Sequence, residues 1–216
     1  MEGKLLDFRI MKKILVLVLT LFAFQISFGQ QKKKEKWHPF SKVPDLSFFF
    51  EGNSQFRQIT DQNTLGLGVK GAVVWNPNNA IGFTFSSTVN KFSPSFESDS
   101  SVYLKNVLTG LFYEYMIKPN NKVHFTIPIA SGVGETYYDW RELDANGAAS
   151  FPYNEKYYFY IQPAVKIEIN IAERWRVNAG LAYLYVPETF AYRGVRNTDV
   201  SGLGIHVGVR YGKFFW

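Results

Sequence analysis

Nine ionisable residues stand out as able to do chemistry if the fold brings them together: Glu51, Lys70, Glu114, His124, Lys166, Glu168, Arg176, His206 and Arg210. Their signs are mixed. Groups of this kind can relay protons, line a pore, or neutralise one another as a buried ion network. Hydrolytic or transfer chemistry would need more, namely a nucleophile or activated water beside a partnered histidine or acid. The histidines are His38, in a polar N-terminal stretch, His124, just after a short turn signal, and His206, in the middle of an apolar-alternating segment. No H-E-x-x-H, G-x-S-x-G, Walker or dinucleotide motif occurs. The chain has no cysteine, which excludes disulfide frameworks, thiol nucleophiles, Cys-ligated zinc and iron–sulfur centres. Asp139, Glu142 and Asp144 gather in one polar stretch, where paired acids could hold a cation, but a solvated loop is the plainer reading. These residues predict no enzyme, no resident metal and no cofactor.

The elements that must position the nine residues are strands. After residue 45 no window holds a 3.6-residue apolar period, whereas period two recurs in eight segments: 46–51, 65–75, 81–90, 106–115, 123–134, 157–170, 175–185 and 202–211. All nine fall on the polar phase of this alternation. Three connections are short turns: Asn76-Pro77-Asn78-Asn79, Lys118-Pro119-Asn120-Asn121 and Ala172-Glu173-Arg174. The others, 57–63, 91–101, 135–154 and 187–199, are longer and polar. Short and long links alternate, so all short ones fall at one end of an up-and-down barrel. The pattern predicts an all-β, eight-stranded antiparallel transmembrane β-barrel with short periplasmic turns and longer extracellular loops. Pro128 and Pro163 fall inside strands, where bulges or lost ladder bonds are expected.

A soluble eight-stranded barrel with its apolar face inward shares the same alternation. Two features favour lipid outside. Glycines 66, 68, 82, 110, 132, 134, 180, 202, 204 and 208 crowd the polar face, leaving room for long charged neighbours inside a narrow barrel. Trp75, Tyr113, Tyr115, Tyr157, Trp175, Tyr183 and Tyr185 gather near strand ends on the apolar face, as interfacial girdles do. The mean hydropathy of −0.13 is too polar for a bundle of membrane helices. Met11-Lys12-Lys13, the apolar run 14–24 and the small residues Ser27 and Gly29 read as a cleaved signal peptide over 1–29, with 1–10 an upstream extension. Residues 30–44 form a basic periplasmic lead-in, and 45–216 the barrel. The net charge of +6 is partly local to the N-terminus, and Lys32-Lys33-Lys34 reads as a solvated linker or a lipid-headgroup contact in an exported chain, with no nucleic-acid partner.

Three blocks carry a family likeness: YLKNVLTGLFYEYMIKPNNKVHFTIPIASGVGE (103–135), YFYIQPAVKIEINIAERWRVNAGLAYLYV (158–186) and DVSGLGIHVGVRYGKFFW (199–216). Their order resembles uncharacterised small outer-membrane β-barrel proteins of Bacteroidota-type bacteria. The likeness implies the fold and an outer-membrane location, and it carries no catalytic residue and no ligand. The aromatic end at Trp216 resembles the C-terminal strand signal that such barrels present to their assembly machinery.

An eight-stranded barrel is filled by its own side chains, so the nine polar-face residues are expected to pair as a lumen charge network. The long loops add Tyr137, Tyr138, Trp140 and Arg141 in 135–154, and Tyr192, Arg193 and Arg196 in 187–199. Tyr, Trp and Arg are the types enriched in binding hot spots. They could grip a protein or glycan partner, or meet outer-membrane lipid and lipopolysaccharide. The expectation is a structural or interaction protein with a charge-filled lumen and aromatic extracellular binding loops. The alternatives are a small pore for ions or small solutes and, third, a lipid-modifying enzyme of the outer membrane.

Overall fold

A computed structural model of the chain describes residues 46–95, 102–140, 155–187, 189, 191–192 and 194–214. The segments read as signal peptide and lead-in, Arg141, Glu142, Asp144, Arg193 and the terminal Trp216 lie outside these residues.

Eight strands close an antiparallel barrel: β1 (Ser47–Ile59), β2 (Gln62–Asn76), β3 (Asn79–Thr88), β4 (Val102–Ile117), β5 (Val123–Trp140), β6 (Lys156–Ala172), β7 (Trp175–Leu184) and β10 (Gly202–Lys213). Each pairs with its sequence neighbour in the barrel, and β1 with β10 completes the ring. Between β7 and β10 lie a small hairpin, β8 (Ala191–Tyr192) with β9 (Val195–Arg196), and one helical turn, α1 (Asn197–Val200).

The alternation sorts side chains to two faces, and exposure identifies them. Outward residues such as Val69, Phe83, Val165 and Leu203 are apolar and open, Phe83 to 72%, while Glu114 and Arg210 point inward and are fully covered. This inverts a soluble protein: the apolar face is the outside one, which only lipid solvates well. Between Leu65 and Trp75 on β2, and between Leu203 and Tyr211 on β10, the outward positions are apolar or glycine. Those spans match the nine to eleven residues or so that a tilted strand needs to cross a bilayer. Trp75 with Tyr113 and Trp175 with Tyr211 form ring pairs 6.1 and 4.9 Å apart at the short-turn end. Tyr157, Tyr183 and Tyr185 face outward near the other end.

Three expectations are corrected. The 57–63 connection is not a long loop: the β1–β2 ladder runs to Ile59↔Gln62 and turns through Thr60 and Asp61, at φ 50° and 63°. Two consecutive left-handed residues make the primed hairpin turn whose twist suits antiparallel strands. The apolar signal stops earlier because Gln58 and Asn63 face outward above the lipid belt, while pairing continues. Likewise β4 begins at Val102 and β5 runs to Trp140, paired to each other, so 135–140 is strand rather than loop. The 187–199 connection is also not a bare loop, since it holds β8, β9 and α1. At the prolines the ladders break without bulging. The β5–β6 pairing skips from Thr126↔Lys166 to Ile129↔Pro163 in unchanged register, and β6–β7 skips from Ala164↔Ala182 to an isolated Ile161↔Tyr185 bridge.

Candidate functional site

Register alone brings the interior charges to one level. Glu51 on β1 lies opposite Lys70 on β2 and Arg210 on β10, Arg210 lies opposite Arg176 on β7, and His124 on β5 opposite Glu168 on β6. All nine expected interior residues are buried inside the barrel.

Eight of them connect through three carboxylates. Arg210 Nε donates to Glu51 Oε2 at 2.5 Å, and its Nη1 and Nη2 donate to the two oxygens of Glu114 at 2.7 and 2.8 Å. Arg210 Nη1 also lies 2.7 Å from Glu168 Oε2 as an ion pair. Glu51 is further held by Lys166 at 3.2 Å, Lys70 at 3.8 Å and an Asn178 amide at 3.2 Å. Glu168 accepts from Arg176 at 3.0 Å and contacts His124 Nε2 at 3.0 Å. The forked guanidinium suits this role, because its planar donors can serve several carboxylates at once. Gly208 leaves room for the Glu51 carboxylate and the Asn178 amide: a Cβ there would sit 3.1 Å from Glu51 Oε1 and 3.0 Å from Asn178 Oδ1.

His206 stands apart. It is buried, but its Nδ1 has no hydrogen-bond partner.

Apolar layers bound the network at both ends. Toward the short turns Arg210 stacks on Phe49 (4.5 Å), Arg176 on Phe214 (3.6 Å) and Lys70 over Phe112 (5.2 Å), with Met116 and Val74 also buried. Toward the far end Ile59, Leu104, Tyr138, Leu184, Val186, Val195 and Val200 are buried in one cluster. Val186 and residues 194–201 fold onto that end. Thr60 N donates to Asp199 O at 3.1 Å, Val186 N to Ser201 Oγ at 3.1 Å, and Ser201 Oγ to Asn197 O at 2.8 Å.

Between the charge layer and this cap lies a polar layer the sequence reading did not single out. Asn106 accepts from Arg57 Nη2 and donates to Tyr158 Oη and, at 2.8 Å, to Thr136 Oγ1. Tyr158 fits because Gly134 faces it: a Cβ on Gly134 would lie 2.2 Å from the Tyr158 ring. The parity signal was present, since Asn106, Tyr158 and Tyr160 share the phase of the interior charges. Arg57 was hidden by the loop assignment, although it continues the inward series Glu51, Asn53, Gln55.

The loop candidates separate. Tyr138 is inward, 3% exposed, with its ring 5.7 Å from that of Tyr192. This corrects its place among exposed loop residues: β5 reaches far enough to carry it into the cap. Tyr137 is half-buried on the opposite face of β5, and Trp140 ends that strand. Arg196 is exposed and tied to Asp199, 3.4 Å away. Among the described residues no group of three or more His, Asp or Glu is placed to hold a metal ion.

No protein-family model matches the chain, and no curated protein does. Among solved structures it is similar to Neisserial surface protein A, at 11% identity over 77% of this chain and 96% of that one, with a TM-score of 0.56. It is also similar to the outer membrane protein OprG of Pseudomonas aeruginosa, at 10% identity over 79% and 96%, with a TM-score of 0.51. At such identity the fold is what is shared, and it is that of small outer-membrane β-barrels.

Proposed function

We propose that the chain is an integral outer-membrane barrel with a plugged lumen, acting as a structural or interaction protein through its extracellular end. The observation that carries this reading is the triple use of Arg210, which ties carboxylates of β1, β4 and β6 across the barrel at one level. A water column at that level would have to displace charge-assisted hydrogen bonds between fully buried groups, and apolar layers lie above and below. An enzymatic reading has less support, since His124 is held by Glu168 and lies near the Asn121 carbonyl at the short-turn end. The extracellular segments 135–154 and 187–199, with Arg196 exposed on the second, are the surfaces offered to a protein, glycan or lipopolysaccharide partner.

The test is to refold the chain from Gln30 onward into planar bilayers and record single-channel current. The expected result is a folded, silent barrel. Steady, reproducible openings would replace this reading with that of a small pore.

A further inference from the structure

We infer that the barrel lumen holds a small inorganic anion of the chloride class at the level of His206, between Arg57 and the lysines that meet Glu51. This goes beyond the role proposed above and concerns the interior alone. The charges inside the barrel do not balance. Arg57, Lys70, Lys166, Arg176 and Arg210 place cationic groups in the interior, against the carboxylates of Glu51, Glu114 and Glu168. Even with both histidines neutral, two positive charges are uncompensated among the described residues. Uncompensated charge in so narrow a space is costly, and a bound counter-ion removes the cost. The excess is localised. Glu114 is met by Arg210, and Glu168 by Arg210 and Arg176, whereas Glu51 alone faces Lys70, Lys166 and Arg210. Arg57 is ion-paired with none of these carboxylates.

Along β1, Glu51 and its lysines lie toward the short turns and Arg57 toward the far end. Asn53 and Gln55 face inward between them, and His206 on β10 stands opposite Gln55. His206 is thus in the field of Lys70 and Lys166 on one side and of Arg57 on the other. Arg57 Nη1, His206 Nδ1 and Asn53 Nδ2 are buried here with no hydrogen-bond partner. Guanidinium and amide nitrogens can only donate, and the imidazole donates in the tautomer that carries its proton on Nδ1. Water could satisfy such donors but not the charge, whereas an anion does both. The wall at this level is bare. Gly66 on β2 lies across β1 from His206, opposite Gln55, and a Cβ on it would meet nothing closer than 3.5 Å. The apolar layers at both ends favour a monatomic ion over a bulky organic one.

The experiment is equilibrium urea unfolding of the refolded chain from lipid vesicles, with chloride exchanged for the bulky anion gluconate at constant ionic strength. A single site that is filled only in the folded state makes the folded-to-unfolded ratio rise about tenfold for a tenfold rise in chloride. Arg57→Gln should reduce that response to less than about twofold. Gln55→Glu supplies the anion from the chain itself: it should abolish the response and raise the ratio in gluconate about tenfold, the gain of one charge-assisted contact. It decides the matter alone if Arg57→Gln does not refold, because a carboxylate buried where no positive charge is in excess would destabilise instead. Lys105→Gln, which removes an outward cation on β4, should leave the response intact. Destabilisation by Gln55→Glu in gluconate would overturn the inference, as would a chloride response that survives both interior substitutions. A barrel that is silent in bilayers yet indifferent to chloride refutes this site and leaves the plugged-lumen reading standing. A conducting barrel whose chloride response is lost in Gln55→Glu does the reverse.

Discussion

Replacing Arg210 with methionine keeps side-chain bulk and removes the shared charge. The structure says where the damage falls. Glu51 keeps Lys166 and Lys70, and Glu168 keeps Arg176 and His124. Glu114, fully buried, has Arg210 as its ion-pair partner and no other among the described residues. Arg210→Met therefore leaves one carboxylate buried without a cation, which costs about 3–5 kcal/mol when one member of a buried pair is removed. Glu114→Gln is milder, because Arg210 still meets Glu51 and Glu168; a lost charge-assisted hydrogen bond costs about 1.5–3 kcal/mol. The double variant removes the stranded carboxylate along with its partner, so its loss should fall below the sum of the singles by about 1–3 kcal/mol. The assay is equilibrium urea unfolding from lipid vesicles, followed by tryptophan fluorescence, since Trp75 and Trp175 face the lipid. Arg210→Met within about 0.5 kcal/mol of the parent, below the size assigned to surface changes, would refute the reasoning. So would strict additivity of the pair.

Other outcomes follow from the same geometry. Val69→Arg, on the outer face in mid-belt, should destabilise the vesicle-inserted barrel by about 2–4 kcal/mol, whereas Gln58→Lys above the belt should cost about 1 kcal/mol or less, by the same unfolding assay. Gly134→Ala forces a methyl into the Tyr158 ring and should cost about 1–3 kcal/mol; a smaller penalty in a Tyr158→Leu background would trace it to that contact. Asp61→Gly relieves a left-handed non-glycine residue in the β1–β2 turn and should raise stability by up to about 1 kcal/mol, read as a higher urea midpoint. Loss of stability would mean that the aspartate side chain, rather than backbone conformation, governs that turn.

The fold was legible because in a barrel strand parity is nearly the whole code. Once Leu65, Leu67 and Val69 face lipid, Gly66, Gly68 and Lys70 must face inward, and the same rule placed all nine interior charges. Legibility failed where the apolar phase stops but pairing does not. Outside the lipid belt an outward residue is polar, so the hairpin around Thr60 and the extension of β5 to Trp140 read as loop. That error had a chemical consequence: it hid Arg57 and put the buried Tyr138 on the surface. The pairings inside the lumen were not legible either. Parity gives the face, whereas which cation meets which carboxylate depends on register between strands far apart in sequence.

That register explains why so many charges reside in so narrow a space. Arg210 lies 159 residues from Glu51 and 96 from Glu114, and it joins β10 to its neighbour β1 and also to β4 and β6 across the lumen. Ladder hydrogen bonds are nearly indifferent to a slip of two residues, which preserves side-chain parity. The ion network is not: such a slip at the β1–β10 seam would move Glu51 by nearly 7 Å along the strand, out of reach of Arg210. Buried ion pairs are poor sources of raw stability, because desolvation cancels most of their attraction. In the observed register Arg210 stands opposite Glu51 and reaches Glu114 and Glu168 across the lumen, so the same contacts that cross the lumen distinguish this register from a two-residue slip.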